Sequence, residues 1–216
     1  MTFSIHRQQK GHIMSFKNRQ YPVNKGKFGN LKTIDSIGKR LSELLDQACE
    51  QNDKTMAVRF DLHYPQDENA PGDNKDISRT MAKLKQKYKR DNSSPEYAWA
   101  REQKTSDNPH YHCVLLVDAE QVNTPDPVFQ DAEQLWGSTI GANRKGLLND
   151  CFRGKNGEPH ENGIIIDKHA PDGRENFEKV RHQISYLEKA AGKGPAKDGL
   201  RNIGTSRIVK KAGGKK

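Results

Sequence analysis

Two histidines stand one residue apart at the start of an apolar run, in the stretch NPHYHCVLLVD that covers residues 108–118. Asn-Pro is a turn signal, and the Val- and Leu-rich run after it is typical of a strand. Side chains alternate faces along a strand, so we expect His110 and His112 on one face, roughly 6–7 Å apart at Cα. Neutral imidazole is a common metal ligand, so the pair predicts part of a divalent metal site. The same spacing also fits two ordinary half-buried histidines.

A carboxylate that could complete such a site lies in the preceding strand. The segment EYAWAREQ, residues 96–103, is predicted to form a hairpin with residues 110–118, because the turn KTSDNP between them is short. In that hairpin Glu102 lies close to the turn and can reach the face that carries His110 and His112. Gln103 takes this place if the pairing shifts by one residue. A Glu102 that simply faces solvent is the alternative.

A tyrosine and a lysine lie three residues apart in the last predicted helix, Glu175–Ala191. Positions three apart are neighbours on a helix surface, so Tyr186 and Lys189 are expected to share a face. That face borders an apolar stripe, which consists of Phe177, Val180, Ile184 and Leu187. The plain alternatives are a packing tyrosine and a surface lysine.

The remaining elements follow from apolar periodicity. Helices are predicted at about 33–51, Asp76–Lys89 and Pro127–Ile140, and strands at 55–65 and 163–168. In the first of these strands Met56, Val58, Phe60 and Leu62 alternate onto one face. Together with the hairpin and the last helix, these elements predict one domain over residues 31–191.

Charge is distributed unevenly along the 216 residues, whose net charge is +9. Residues 1–40 contain nine Lys/Arg and one acid, and residues 192–216 contain eight Lys/Arg and one acid. The sequence therefore predicts a basic flexible N-terminal arm at 1–30 and a basic flexible C-terminal tail at 192–216. Basic arms on an acidic body favour a polyanionic partner. Arms that only confer solubility are the alternative.

Several classes of protein are disfavoured by composition. Three widely spaced cysteines predict neither a disulfide framework nor a metal knuckle, and a reducing cytoplasm is the simple interpretation. The longest apolar runs, such as CVLLV, are far shorter than a membrane span, so no membrane partner is expected. The first residues lack the apolar segment of a signal peptide. No Walker loop is present.

These pieces together resemble the HUH endonucleases, which carry a His-hydrophobic-His motif on a sheet and a nucleophilic tyrosine on a helix. HYH at 110–112 matches the first motif, YLEK at 186–189 looks like the second, and FDLHYP at 60–65 resembles the opening strand of replication initiators. The stretch YAWAREQKTSDNPHYHCVLLVD, with ISYLEKA downstream, is similar to the gene II-type replication proteins of filamentous phages and their relatives in prophages and mobile elements. The resemblance covers about 55–190.

The resemblance implies an α+β fold, in which a central, mostly antiparallel β-sheet of about four or five strands carries the histidine hairpin and packs against α-helices. It implies a divalent ion, Mg²⁺ or Mn²⁺, held by His110, His112 and Glu102. Tyr186 would attack a phosphodiester of single-stranded DNA at an origin, leaving a 5′-phosphotyrosine and a free 3′-hydroxyl that can later rejoin the strand. Lys189 would favour the phenolate or offset phosphate charge. Rolling-circle replication in a bacterial cytoplasm, with host replication proteins as further partners, is the corresponding role.

DNA contacts are expected from basic residues near the motifs and in the tail: Arg101, His182, Lys193, Lys197 and Arg201. Two other functions stay open. The first is a non-catalytic nucleic-acid-binding module on the same sheet, and the second is a metal-dependent phosphodiesterase that uses water while Tyr186 is structural. Only the tyrosine mechanism predicts a covalent protein–DNA adduct.

Overall fold

The structure is a computed structural model that describes residues 23–25, 32–67, 69–90, 93–103, 107–142, 144–154, 157–189 and 200–209. Most of the predicted N-terminal arm, together with Lys193 and Lys197, lies outside the described residues. The helices are α1 Asp35–Gln51, α2 Lys75–Lys87, α3 Asp126–Ile140 and α4 Gly173–Ile184, followed by a 3₁₀ turn at Ser185–Glu188. The strands are β1 Lys54–His63, β2 Glu96–Glu102, β3 His110–Asp118, β4 Leu148–Asn149, β5 Ile164–Asp167 and β6 Ile203–Thr205.

The strands form one antiparallel sheet in the order β4-β1-β3-β2-β6, and β5 pairs with β1 beyond the end of β4. The predicted α+β fold with a mostly antiparallel sheet is confirmed. The sheet has six strands, because the two-residue β4 and the three-residue β6 join those predicted from periodicity. The histidine hairpin β2–β3 lies within this sheet, where β1 pairs with β3 and β6 pairs with β2, so its backbone is fixed on both sides.

Helices cover both faces of the sheet. On one face, the side chains of Met56, Val58, Phe60 and Leu62 pack with apolar residues of α2 and α3, as their alternation predicted. On the other face, Ala57, Val114 and Leu116 pack against α1 and α4. Each fully buried aliphatic or aromatic side chain contributes about 1.5–3 kcal/mol. The strands that carry the candidate site are therefore fixed from both faces.

Two predicted elements differ from those observed. The last predicted helix does not continue to Ala191: α4 ends at Ile184, and Tyr186 lies in the 3₁₀ turn. Part of the predicted C-terminal tail is ordered, since Ile203–Thr205 form the edge strand β6 against β2. Gly204 pairs with Trp99, and a Cβ at Gly204 would come within 2.3 Å of the Trp99 indole. Only glycine lets β6 approach the sheet this closely.

Within the described residues, no helix is long and apolar enough to cross a membrane.

Candidate metal centre and tyrosine site

The hairpin brings the three predicted ligands together. Glu102 pairs directly with His110, and Ala100 pairs with His112, so the three side chains share one face of the sheet. Their ligand atoms all lie within 4.8 Å of one another. Glu102 and His112 are both 5% exposed, whereas His110 is half-buried. Two imidazoles and a carboxylate within this distance form a donor set that suits a divalent transition metal.

The register of the hairpin decides between Glu102 and Gln103 as the third candidate ligand. Gln103 lies beyond the end of β2, where it accepts a hydrogen bond from Arg101 at 2.7 Å and donates one to the Asp107 carbonyl at 2.8 Å. Its side chain thus forms hydrogen bonds at the turn of the hairpin. Glu102, and not Gln103, therefore faces the histidines.

A second carboxylate, Asp61 of β1, lies behind His112. Asp61 Oδ1 is 2.8 Å from His112 Nδ1, and Glu102 Oε2 is 3.1 Å from His112 Nε2. Burial alone would lower the pKa of His112, but the hydrogen bonds to Asp61 and Glu102 outweigh it and raise this pKa. In the neutral tautomer, with Nδ1–H donating to Asp61, the Nε2 lone pair would point at the cluster, as in carboxylate–histidine–metal arrangements. The residues present thus fit a bound divalent ion.

His110 has a different environment. Its ring stacks on that of His63, with the ring centroids 5.5 Å apart and the planes 20° from parallel. Burial, together with the nearby charge of His112, lowers the pKa of His110 to about 4. At neutral pH His110 is therefore uncharged, which is the form that binds metals. His63 lies directly opposite His110 in the β1–β3 pairing.

Lys189 connects the candidate ligands to the candidate nucleophile. Its Nζ lies 3.2 Å and 3.1 Å from the two oxygens of Glu102, and 3.2 Å from the Tyr186 hydroxyl. Burial would lower the pKa of Lys189, but its contacts with Tyr186 and Glu102 raise it, so the amine stays charged. Burial likewise raises the pKa of Glu102, but hydrogen bonds from His112 and Lys189 outweigh it and lower this pKa.

The ring of Tyr186 is half-buried between cationic and aromatic groups. Its centroid is 5.0 Å from that of the His112 ring, at an interplanar angle of 85°. The Arg59 guanidinium lies over the ring at 4.6 Å from the centroid, and it also approaches Asp61 at 3.7 Å. A cation over an aromatic face is attracted by the ring quadrupole, so Arg59 helps to fix the phenol.

The 3₁₀ turn is held in place by the start of α1. Ile34 N–H donates to the Glu188 carbonyl at 2.9 Å, and Thr33 forms a β-bridge with Lys189. Below the turn, the buried side chains of Arg181 and Glu188 form an ion pair of 2.6 Å. Backbone and side-chain contacts therefore fix both ends of the segment that contains Tyr186.

An open pocket of about 750 Å³ adjoins the cluster at the same end of the sheet. Its lining includes His63, His110, Arg144 and Lys145. The Trp136 indole donates to the His63 carbonyl at 2.7 Å and thereby anchors the end of β1 beside this pocket. A ligand has room to reach His110 from this side.

The predicted DNA-contacting residues are spread over the molecule. Arg101 lies on the opposite face of β2 from Glu102, because neighbouring strand residues alternate. His182 is exposed on α4, and Arg201 is exposed just before β6. None of these three belongs to the metal cluster.

Sequence reasoning missed Asp61, Arg59 and the Arg181–Glu188 pair. Asp61 and Arg59 alternate with the apolar residues of β1, so they share the face opposite Phe60. This signal was present in the strand pattern, but only the β1–β3 register shows that Asp61 lies opposite His112. Arg181 and Glu188 are seven residues apart, a spacing that places both on one side of a helix, but two charged residues at this spacing are typical of an exposed face and do not predict a buried pair.

The protein is therefore of the α+β class. Its antiparallel sheet is covered by helices and carries a His-His-Glu cluster beside a Tyr–Lys pair. The family model named YagK/YfjJ C-terminal domain matches residues 16–206, and the chain belongs to this family. It is similar to the Uncharacterized protein YfjJ of Escherichia coli K12, with 27% identity over 204 residues, covering 78% of this chain and 92% of that protein. The Uncharacterized protein YagK of the same strain is 27% identical over 192 residues, covering 78% and 91%. No solved structure matches the chain.

Proposed function

We propose that the protein is a tyrosine endonuclease of the HUH type, which nicks and rejoins single-stranded DNA at an origin. The observation that carries this proposal is the contact between Lys189, the Tyr186 hydroxyl and both oxygens of Glu102. A tyrosine that only packs in the core does not require a buried lysine that also bonds a candidate metal ligand, as Lys189 bonds Glu102. The nucleophile candidate and the metal-binding candidates thus form one connected group, as phosphoryl transfer to tyrosine requires.

Each residue then has a distinct task. Tyr186 loses its phenol proton to solvent and its Oη forms a bond to phosphorus while the bond from phosphorus to the 3′-oxygen breaks, and the released 3′-oxygen takes up a proton from solvent. A phenol is a weak nucleophile near pH 7, so a group that stabilises its anion is required. Lys189, whose ammonium group lies 3.2 Å from the hydroxyl, meets this need. Arg59 keeps the ring oriented from its other side.

His110, His112 and Glu102 would hold the divalent ion, Mg²⁺ or Mn²⁺, and Asp61 would orient His112. When bound, the ion supplies Lewis-acid polarisation of the phosphate and neutralises charge that develops during transfer. Rolling-circle replication of a mobile element in the cytoplasm is the role that we propose for this chemistry, with host replication proteins as partners. The energy of the phosphodiester is retained in the phosphotyrosine, which allows later rejoining.

The decisive experiment is a search for the covalent intermediate. Labelled single strands that tile the genetic element encoding the chain would be incubated with the protein and Mn²⁺, then separated on a denaturing gel. We expect a slow band that requires metal and is absent in Tyr186→Phe. Tyr88→Phe is the matched control, since its hydroxyl bonds Asp131 on the α2–α3 face and it should retain the band.

Other outcomes would redirect the proposal. Cleavage without an adduct in wild type, and equal cleavage by Tyr186→Phe, would indicate a phosphodiesterase that uses water. Binding without cleavage on every tiled strand would favour a non-catalytic nucleic-acid-binding module. In either case the assigned role of Tyr186 would be wrong.

A further inference from the structure

A second concave surface lies along the β6 edge of the sheet, away from the metal cluster. It encloses about 950 Å³ between the start of α2, strand β2 and the segment that leads into β6. We name it the β6 groove and define it by five of its lining residues: Arg40, Lys75, Tyr97, Trp99 and Arg201. The metal cluster contributes no residue to it.

The β6 groove combines cations from three separate elements. Arg40 comes from α1, Lys75 from the start of α2, and Arg201 from the segment before β6, whereas Asp73 is the only acidic residue in its lining among the described residues. Arg201 is exposed, and Lys75 pairs with Asp73 at 2.8 Å in solvent. An exposed ion pair contributes little to stability, so Lys75 is readily available to an anionic ligand.

Aromatic side chains form the floor of the groove. Tyr97 and Trp99 are two residues apart on β2, so they project from the same face of the sheet. Tyr97 is half-buried and lines the groove, while Trp99 is 4% exposed beneath Gly204. Cations that track a backbone, with an aromatic face between them, are the features that bind single-stranded nucleic acid.

We infer that the β6 groove binds single-stranded DNA through its phosphates and by stacking one base on Tyr97. A duplex has no unstacked base to offer to a ring at the bottom of a groove of this size. The choice of DNA among polyanions rests on the proposed function, but the binding itself requires neither metal nor cleavage.

The groove is placed to serve the nicking site. Trp99 and Glu102 lie on the same strand, three residues and thus about 10 Å apart, with their side chains on opposite faces of the sheet. Asn202, at the entrance of β6, accepts a hydrogen bond from the Arg101 N–H at 3.0 Å. A strand that leaves the cluster would pass round the end of β2, where Arg101 and Asn202 are bonded, and enter the groove from the opposite face of the sheet.

The test measures binding by fluorescence anisotropy without metal, in the Tyr186→Phe background, so that no cleavage occurs. The probes are a short oligothymidine, the same length of abasic strand, and a duplex. Tyr97→Leu keeps an apolar side chain but removes stacking, so we expect about a ten-fold or greater loss of affinity for oligothymidine and almost none for the abasic strand.

The charges are tested by the salt dependence. Lys75→Gln combined with Arg201→Gln should reduce the slope of log affinity against log salt by about 0.7 for each lost phosphate contact, with either single strand. The matched control is Lys83→Gln with Lys87→Gln, since these exposed residues lie at the other end of α2, roughly 12 Å or more along the helix from Lys75.

Two results would overturn the inference. The first is that the groove variants bind like the control variants, and the second is that the duplex binds more tightly than oligothymidine with no effect of Tyr97→Leu. Failure of the groove is distinguishable from failure of the proposed function, because adduct formation by the protein with an intact Tyr186 is measured separately.

Discussion

Lys189 has two partners whose needs differ. In the proposed mechanism Lys189 would stabilise the Tyr186 phenolate, yet its Nζ also hydrogen-bonds both oxygens of Glu102, which a bound metal would share. The lysine would therefore compete with a bound metal for the carboxylate while it supports the proposed nucleophile. Removal of the lysine amine is therefore expected to lower the rate of adduct formation without lowering the affinity for metal.

Replacement of Lys189 by methionine tests this separation. We expect the rate of adduct formation to fall about 10²- to 10³-fold, because one preorganised stabiliser of developing charge is lost. Mn²⁺ affinity should be unchanged or higher, since Glu102 gains freedom to bind the ion. Single-turnover kinetics and calorimetric titration measure the two quantities. Parallel losses of rate and Mn²⁺ affinity would show that Lys189 acts only by positioning Glu102.

Asp61 acts on the candidate metal centre without being one of its ligands. Asp61→Asn removes the negative charge 2.8 Å from His112 Nδ1 but preserves shape and an acceptor oxygen. We expect Mn²⁺ affinity to decrease about 10- to 100-fold, as for other partners of metal-binding histidines. Asp53→Asn is the control, because that carboxylate bonds Lys168 beyond the other end of β1. An Asp61→Asn protein with wild-type affinity would contradict the orienting role.

The strand alternation of the hairpin could be predicted from the sequence, and so could the common face of His110, His112 and Glu102. The position of Asp61 could not, because it depends on which strand pairs with β3 and in what register. Contacts from β1 to β3 join residues about 50 positions apart, such as Asp61 and His112. No local pattern encodes such a pairing.

At the scale of elements, short strands and helix ends were the features that periodicity missed. A strand of two or three residues, such as β4 or β6, is too short to show alternation, and it forms because an open edge of the sheet accepts its backbone. The α4 helix and the 3₁₀ turn after it share one apolar stripe, since spacings of three and four residues are both compatible with it. The change to 3₁₀ geometry at Ser185 therefore has no signature in composition.

One side chain substitutes for sheet pairing at the edge of β1. Between the segments bonded to β4 and β5, Asn162 accepts a hydrogen bond from the Arg59 N–H at 2.9 Å and donates to the Arg59 carbonyl at 2.6 Å. Its amide thus satisfies the backbone of the residue that covers Tyr186. This arrangement positions Arg59 through the main chain, whatever its side chain contacts.

The ion pair between Arg181 and Glu188 fixes the turn that carries Tyr186. Both side chains are buried, and Arg181 also donates to Ser42 Oγ at 2.8 Å. Glu188→Leu leaves the arginine charge buried without its partner, so we expect a loss of about 3–5 kcal/mol in the free energy of unfolding. Denaturant unfolding measures this quantity.

The double variant Arg181→Met with Glu188→Leu provides the comparison. Replacement of both charges by apolar groups of similar volume is often neutral or stabilising, so most of the lost stability should return. If the double variant is as unstable as Glu188→Leu alone, the pair contributes through packing geometry and not through charge. If the double variant is stable, its rate of adduct formation shows how far the ion pair positions Tyr186.

At the scale of the whole molecule, the two candidate sites lie at one end and at one edge of a sheet whose faces are covered by helices. Helices α2 and α3 close one face and α1 and α4 the other, and the polar cluster lies where β1, β2 and β3 come together near the hairpin turn. The class of fold could be anticipated from the order of elements and the resemblance. Which residues close the β6 edge could not, because that edge is formed by a segment whose composition is that of a basic tail.

Because residues 200–209 form β6 and its flanking contacts, truncations of the C-terminal segment separate folding from DNA binding. Ser206 does not belong to the His-His-Glu cluster. Its N–H donates to the Tyr97 carbonyl at 3.0 Å, and its hydroxyl donates to the buried Glu96 carboxylate. Removal of residues 200–216 deletes β6 and these bonds, and we expect a clear decrease in melting temperature. Removal of 210–216 leaves every described contact of the segment intact, and should leave the melting temperature unchanged.

We nevertheless expect the shorter truncation to change DNA binding. Residues 210–216 contain four lysines and no acid. If all four contact phosphates, their loss reduces the slope of log affinity against log salt by about 3 for a single strand. A full-length variant with all four lysines replaced by glutamine should behave as the truncation does, since only charge is removed. An unchanged slope in both proteins would show that these lysines do not contact DNA, and would assign the salt dependence to the cations of the folded domain.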